Sequence, residues 1–398
     1  MHNESPSTLE SIHTPESATE RARIIACDLE LIDKSVNPDD LRFSHIIHTL
    51  RQEGIFDAEI QRVKELFRED LGEFGEDLES DVWEMLTVLE LFDPETARHC
   101  VDTYHIAKSK VETELWNGIV LADCFEREGV DLHTFYVSCL LHDIGKVEVP
   151  HSVVINRVSD EECAYLLFEH TEDILLPALR AHLKNPNFEL PPSITSENRL
   201  LTYLHEELHI RPQAIAPVKL LLGNLDAESV DEIEKQLSHV GCSLDDTLLH
   251  IMRTHDKYSK EILHGTGREI EATLAGSHHF NNESSYTITI GTLRVSVALA
   301  DIIHLADVEN AILSTRHYKE KHTSLQALKV LVLHAKQGAV DSYISYLWIA
   351  DTIHRMEDSL NVHDEKEMLI YTYITKHLEA EKKTHLAYPD WKQGLKNV

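Results

Sequence analysis

Glycine, paired cysteines and positive charge are all scarce in this sequence. Only 14 of the 398 residues are glycine, which argues against a fold built on glycine-rich turns and phosphate loops. The six cysteines are scattered and none forms a CxxC pair, which is typical of buried, reduced cysteines. Lys and Arg number 37 against 69 Asp and Glu, so the formal net charge is -32. This charge argues against DNA or RNA as a partner, because phosphate polymers would be repelled.

Long apolar segments are missing as well. The polar N-terminus has no apolar signal core, and no run approaches the roughly 18 apolar residues of a membrane-spanning helix. We therefore expect a cytoplasmic protein with no membrane partner. A small anionic substrate is still compatible with the acidic composition, because bound metal ions can dominate the local electrostatic field.

Helical periodicity covers most of the chain and predicts an all-α fold. A β-like stretch, TITIGT at 287–292, predicts one short hairpin. The proline-broken character of residues 171–245 indicates an insertion in the main domain. The predicted segments are a disordered tail (1–20), an N-terminal helical module that is regulatory or dimerising (21–88), the main domain with its insertion (89–350) and a C-terminal helical extension (351–398).

The segment LLHDIGKVEVP at 140–150 carries the clearest chemistry. His142 and Asp143 follow an apolar helix, where neighbouring ligands can bind a metal from the helix end. A carboxylate oxygen of Asp143 can bridge two cations, and Lys146 adds a positive charge where a phosphate would bind. The pattern predicts a metal site for phosphate chemistry, with Asp143 and Lys146 as catalytic residues.

HDIGKVEVP resembles the signature of HD-GYP domains, bacterial phosphodiesterases of cyclic dinucleotides. The resemblance covers about 92–170 and 244–350, and it implies an HD-domain helical bundle. Further elements of that family follow in the family's order: FDPETARH at 92–99, THDKYSKEILHG at 254–265, SHHF at 277–280, RVSVALAD at 294–301 and STRHYKEKHTSLQAL at 314–328.

The resemblance also implies the ligands of the site. The implied metal ligands are Glu95, His99, His142, Asp143, His255, His278, His279 and Asp301. Glu95 lies one helical turn before His99 and marks sites that hold a third metal. The resemblance thus implies two or three divalent metals, and histidine nitrogens with carboxylates suit Fe or Mn better than Mg or Ca. Lys146, Arg294 and Arg316 are the implied substrate contacts.

Two histidines compete for one ligand position. His170 lies at the family's usual interval after His142, whereas His255 lies at a family interval before His278. We expect His255 to be the ligand, because Ile262 and Leu263 would pack the helix that carries it.

Several positions depart from the family pattern. The family's HHExxDGxGYP reads HHFNNESSY here, so that Phe280 replaces a Glu and the GYP triplet is lost. The segment from His279 to Asp301 is about six residues shorter than in the family. His304 takes the place of an Asp three residues after the last ligand. These changes leave the identity of the substrate open.

The function expected from the resemblance is metal-dependent hydrolysis of a cyclic dinucleotide, first of all cyclic di-GMP, to the linear dinucleotide or to GMP. One alternative is an HD phosphohydrolase acting on another nucleotide. The other is a catalytically silent HD signalling scaffold, although such relatives typically lose their metal ligands. We also expect a homodimer formed through the N-terminal module.

Overall fold

The computed structural model describes residues 15–27, 41–123, 125, 130–155, 160–208, 210–222, 227–279, 287–290, 293–313, 323–356 and 365–386. Most of the predicted disordered tail therefore lies outside the described residues. The first described helix begins at Pro15.

The described part of the chain is helical apart from turns, loops and one hairpin, so the predicted all-α class is confirmed. The hairpin pairs β1 (Thr287–Ile290) with β2 (Leu293–Ser296) in antiparallel register. The α-helices are α1 (Pro15–Cys27), α2 (Arg42–Gln52), α3 (Phe56–Asp77), α4 (Ser80–Phe92), α5 (Pro94–Glu112), α6 (Leu132–Leu141), α7 (His151–Ile155), α8 (Asp160–Glu169), α9 (Leu176–His182), α10 (Glu197–Thr202), α11 (Val218–Leu221), α12 (Ala227–His239), α13 (Leu248–Gly265), α14 (Glu269–Ala275), α15 (Val297–Leu313), α16 (Ser324–Lys336), α17 (Ser342–Met356) and α18 (Glu365–Leu386).

The chain divides into two compact units. The first comprises Met1–Val147, Ser259–Leu313 and His322–Val398, and the second comprises Glu148–Tyr258 and Ser314–Lys321. The second unit includes the predicted insertion at 171–245 and extends beyond it on both sides. The N-terminal helices α1 to α4 belong to the same unit as α5.

Helices α5, α6, α14 and α15 pack together in the first unit. Helix α6 is apolar on nearly every side and is buried from Phe135 to Leu141, as expected for a helix without a polar face. Its N-terminus is capped by Asp131, whose carboxylate accepts the Thr134 amide at 2.8 Å. A buried helix with a defined start places the residues that follow Leu141 inside the core.

Helix α5 has an equally well-defined beginning. Asp93 caps it by accepting hydrogen bonds from the Glu95 amide at 3.2 Å and the Thr96 hydroxyl at 2.6 Å. Pro94 follows the cap, where a missing amide hydrogen costs nothing. This start fixes the turn of α5 that carries His99.

The second unit has an apolar core of its own. Its chain includes two π-helical turns, Thr171–Leu175 and Tyr203–Glu207. The fully buried side chains of this core are Cys163, Leu167, Leu175, Leu179, Leu200, Leu204 and Ala216. None of the described helices in either unit is both long and apolar enough to cross a membrane.

Candidate metal centre

Four buried side chains from three segments meet in the first unit: His99 on α5, His142 and Asp143 just after α6, and Asp307 on α15. His99 Nε2 lies 2.7 Å from Asp307 Oδ1 and 3.9 Å from Asp143 Oδ2. His142 Nε2 lies 3.5 Å from Asp143 Oδ2 and 3.9 Å from Asp307 Oδ1. Two ligands of one metal ion at about 2.0–2.2 Å are separated by roughly 3–4 Å, so the three longer distances suit shared coordination, whereas the 2.7 Å contact is a hydrogen bond.

The paired histidines that follow α14 lie at the same centre. The ligand atoms of His142, His278 and Asp307 are all within 4.8 Å of one another. His279 Nε2 lies 3.9 Å from the second oxygen of Asp307. The structure therefore brings together five of the predicted ligands, and it adds Asp307 to them.

His142 shows that the site fits a cation. Its Nδ1–H donates to the Cys139 carbonyl at 2.8 Å, which leaves the lone pair of the neutral ring on Nε2. This Nε2 atom is fully buried and has no hydrogen-bond partner among the described residues. It faces oxygens of Asp143 and Asp307, which also offer only lone pairs when ionised. A divalent cation among these three atoms would give the buried Nε2 atom the partner that it lacks among the described residues.

His278 is oriented in the same way as His142. Its Nδ1 contacts the carbonyl of Ala275, three residues earlier in the chain. In the second unit, the buried His255 makes the same kind of contact with Met252. A carbonyl on Nδ1 is the usual arrangement for a histidine that binds metal through Nε2.

The protonation states of His99 and Asp307 follow from burial and from each other. Burial lowers the pKa of His99, so the ring is neutral near pH 7. Burial alone would raise the pKa of Asp307, but the hydrogen bond from His99 and the nearby imidazoles hold it well below its usual value. A neutral His99 thus donates Nε2–H to an ionised Asp307.

Lys146 provides the positive charge beside the cluster. Its Nζ lies 2.5 Å from Asp143 Oδ2, and the side chain is only 14% exposed. It follows His142 and Asp143 in the 3₁₀ turn Ile144–Glu148. The contact places an ammonium group directly beside Asp143.

Ser259, on the part of α13 that belongs to the first unit, secures this turn. Its hydroxyl accepts the Gly145 amide at 2.9 Å and donates to the His142 carbonyl at 2.7 Å. The sequence offered no signal for this role, because Ser259 lies 114 residues from Gly145 along the chain. The hydroxyl holds His142 through its backbone.

The structure places Asp301, the predicted last ligand, outside the groups of His and Asp side chains that could hold a metal ion among the described residues. Its Oδ2 accepts the Asp341 amide at 2.8 Å, and burial raises its pKa to about 7. A signal for Asp307 was present, because Leu-Ala-Asp occurs at both 299–301 and 305–307. If Asp307 is the last ligand instead of Asp301, the segment that begins at His279 is six residues longer, since 307 − 301 = 6. This segment then has about the same length as in the HD-GYP family. The residue three positions later then becomes Asn310 rather than His304.

His304 nevertheless contacts the centre. Its Nδ1 donates to the His278 carbonyl at 2.7 Å, and its Nε2 lies 2.9 Å from His334 Nδ1 on α16. The sequence pattern marked His304 only as a departure from the family. In the structure it links α15 and α16 to the histidine pair.

The remaining predicted residues lie apart from these clusters or outside the described residues. Glu95 is exposed in the first turn of α5, and His170 is exposed at the start of a π-helical turn. Arg294 lies in β2 opposite Thr289, and nothing is described of its side chain. Arg316 and the altered loop at 280–286 lie outside the described residues.

Comparison with protein-family models identifies an HD domain at residues 96–209. This region includes His99, His142 and Asp143, and it ends before His255, His278 and Asp307. No curated protein and no solved structure matches the chain. HD domains are typically metal-dependent hydrolases, which agrees with the His and Asp clusters that could hold a metal. The match thus supports an HD domain at these residues, which make up less than half of the chain.

Proposed function

We propose that this chain is a metal-dependent phosphodiesterase that opens a cyclic dinucleotide, first of all cyclic di-GMP, and releases the linear dinucleotide or GMP. The observation that carries the hydrolase assignment is the buried Nε2 of His142, which has no hydrogen-bond partner among the described residues and faces the oxygens of Asp143 and Asp307. The substrate class rests on the resemblance of HDIGKVEVP and its companion segments to HD-GYP domains.

The proposed ligand set takes Asp307 in place of Asp301. It comprises His99, His142, Asp143, His278, His279 and Asp307, which hold two divalent metals, Fe or Mn. His255 is added from the resemblance, and its buried ring already has a carbonyl on Nδ1. A third metal at Glu95 rests on the resemblance alone, since Glu95 is exposed.

Bound divalent metals would supply Lewis acidity, which lowers the pKa of a water molecule and offsets phosphoryl charge. The protein's own contribution is positioning. The Cys139 carbonyl fixes the tautomer of His142, and the Ser259 hydroxyl fixes its backbone. Lys146 holds an ammonium group beside Asp143, where it can stabilise negative charge that develops on a phosphoryl oxygen.

Attraction of the substrate has to be local. With a formal net charge of -32, the chain as a whole repels a dinucleotide. Lys146 and bound metals would reverse the potential at the cluster alone. Such a site favours a compact anionic substrate over an extended polymer.

A second candidate function is hydrolysis of another nucleotide by the same centre. The loop that reads HHFNNESSY, in place of HHExxDGxGYP, favours this alternative, because its substitutions leave the metal ligands in place. Only the recognition of the substrate would then differ.

The deciding experiment is a nucleotide panel with protein loaded anaerobically with Fe(II) or Mn(II). The panel contains cyclic di-GMP, cyclic di-AMP, a mixed cyclic dinucleotide and linear nucleotides, with products separated by chromatography. Turnover of a cyclic dinucleotide supports the proposal, and turnover of linear nucleotides alone supports the second candidate. Absence of both stoichiometric metal and turnover would identify a silent scaffold and overturn both.

A further inference from the structure

We propose that Asn310 sets the metal affinity of this centre by holding His99 in the tautomer that carries its proton on Nε2. The inference rests on the proposed metal-binding function. Asn310 and Asp307 lie one turn apart on α15, and they contact opposite nitrogens of the same ring. Asn310 Nδ2 lies 2.9 Å from His99 Nδ1, and Asp307 Oδ1 lies 2.7 Å from His99 Nε2. All three side chains are buried.

The surroundings of Asn310 determine which way its amide faces. The amide nitrogen lies 2.9 Å from the His99 carbonyl oxygen and 3.3 Å from the Thr103 hydroxyl. A carbonyl oxygen can only accept, so the atom that faces it must be the NH₂ group. The reversed amide would bring two oxygens together at the same short distance in a buried site.

This orientation decides the tautomer of His99. An amide nitrogen donates and has no lone pair to offer, so His99 Nδ1 must accept from it. In the neutral ring the proton then lies on Nε2 and points at Asp307. The result is a directed chain of hydrogen bonds from Asn310 through His99 to Asp307. His142 has the opposite tautomer, because its Nδ1 donates to the Cys139 carbonyl.

His99 and His142 therefore differ in whether Nε2 can bind a metal ion directly. Nε2 of His142 offers a lone pair, whereas Nε2 of His99 is occupied by a proton. For His99 to bind metal, this proton must move to Nδ1, and the Asn310 amide must rotate to present its oxygen there. Rotation breaks the bond to the His99 carbonyl, and the tautomer change breaks the bond to Asp307. Asn310 thus weakens metal binding. An Asp at this position would favour the His99 tautomer that has its proton on Nδ1 and can bind metal through Nε2.

The test compares the full-length protein with its Asn310→Asp variant. The ionised Asp side chain has the same shape but only accepts, so it should hold the proton on Nδ1, although it gives up the hydrogen bond to the His99 carbonyl. Titration of Mn(II) against a competing chelator should show roughly tenfold tighter binding or more. Asp301→Asn is the matched control on the same helix, and it should leave the affinity unchanged. Equal or weaker binding by Asn310→Asp, with normal binding by the unaltered protein, would overturn the inference but not the proposed function.

Nitrogen-15 NMR of the histidine rings in metal-free protein separates a tautomer effect from a simple gain of charge. The signal of His99, identified by its loss in His99→Gln, should report Nε2–H in the unaltered protein and Nδ1–H in Asn310→Asp. Tighter binding without this change of tautomer would overturn the inference. If Asn310→Asp does not fold, the unaltered protein still decides, because Nδ1–H on its His99 contradicts the assignment. Failure of every form to bind metal would instead overturn the proposed function.

Discussion

Helix α15 carries two aspartates in opposite environments. Asp307 accepts a hydrogen bond from His99 at 2.7 Å, and although burial opposes it, this bond and the nearby imidazoles hold its pKa well below the usual value. Asp301 accepts only the Asp341 amide among its described contacts, and burial raises its pKa to about 7. Both are buried, and each ends a Leu-Ala-Asp triplet.

The difference shows that neighbours, rather than burial alone, decide the state of a buried carboxylate. Burial acts to raise the pKa of both groups. At Asp307 the neighbouring imidazole rings outweigh burial and lower the pKa, whereas at Asp301 the charge of Asp341 adds to the effect of burial. Six helical residues rotate a side chain by roughly 240° beyond one full turn, so the two groups point about 120° apart. They cannot both face the histidines.

The largest expected effect comes from replacing each of the two aspartates with asparagine in turn. Asp307→Asn should remove an ionised ligand and reduce both bound metal and turnover, with kcat/KM falling about 1,000-fold, or roughly 4 kcal/mol. Asp301→Asn should retain the metal, since its carboxylate contacts none of the clustered histidines among the described residues. Elemental analysis of both variants checks this. Metal loss from Asp301→Asn alone would reverse our assignment.

The next effect concerns stability and pH. A carboxyl whose folded pKa lies above its unfolded value of 3.8 binds protons more tightly when folded. Its contribution to stability is therefore lost as the pH rises from about 4 through about 7. Asp301→Asn removes this ionisation, so relative to the unaltered protein it should gain on the order of 3 kcal/mol between pH 4 and pH 8.

Urea unfolding of metal-free protein at several pH values measures this gain in the free energy of unfolding. Asp341→Asn, which removes the charge that acts against the ionisation of Asp301, serves as a partial control. A stability difference between Asp301→Asn and the unaltered protein that does not change with pH would contradict the raised pKa.

A smaller effect is expected at Lys146, whose ammonium group contacts Asp143 in the same centre as Asp307. Lys146→Ala should leave the metal bound and lower kcat/KM by the loss of one charge-assisted contact, roughly 1.5–3 kcal/mol. Lys108→Ala, which removes an exposed ion pair with Glu112, is the matched control. Full activity in Lys146→Ala would remove this residue from the mechanism.

The smallest effect is expected at Glu95. Because its side chain is exposed in the first turn of α5, Glu95→Ala should leave the metal stoichiometry of the loaded protein unchanged. Loss of one metal per chain by elemental analysis would instead establish the third site that the resemblance implies. The centre would then extend beyond the buried cluster.

Some of the candidate site was predictable because it is local in sequence. His142 and Asp143 are adjacent, Lys146 follows within one turn, and His278 and His279 form a pair. Their placement needs only a buried helix that ends at a defined residue, and such helices are readable from apolar periodicity and caps. The contacts of Ser259 and Asn310 were not predictable, because they join residues 114 and 211 positions apart.

Scarce glycine and pervasive helical periodicity were enough to predict the helical class, and the sequence motifs predicted most residue types of the candidate metal centre. That Asp307 rather than Asp301 contacts His99, and that Asn310 contacts the other nitrogen of that ring, became visible in the folded chain alone. Both aspartates satisfy the same local sequence pattern, whereas the rotation of α15 against α5 depends on packing between segments that are distant in sequence.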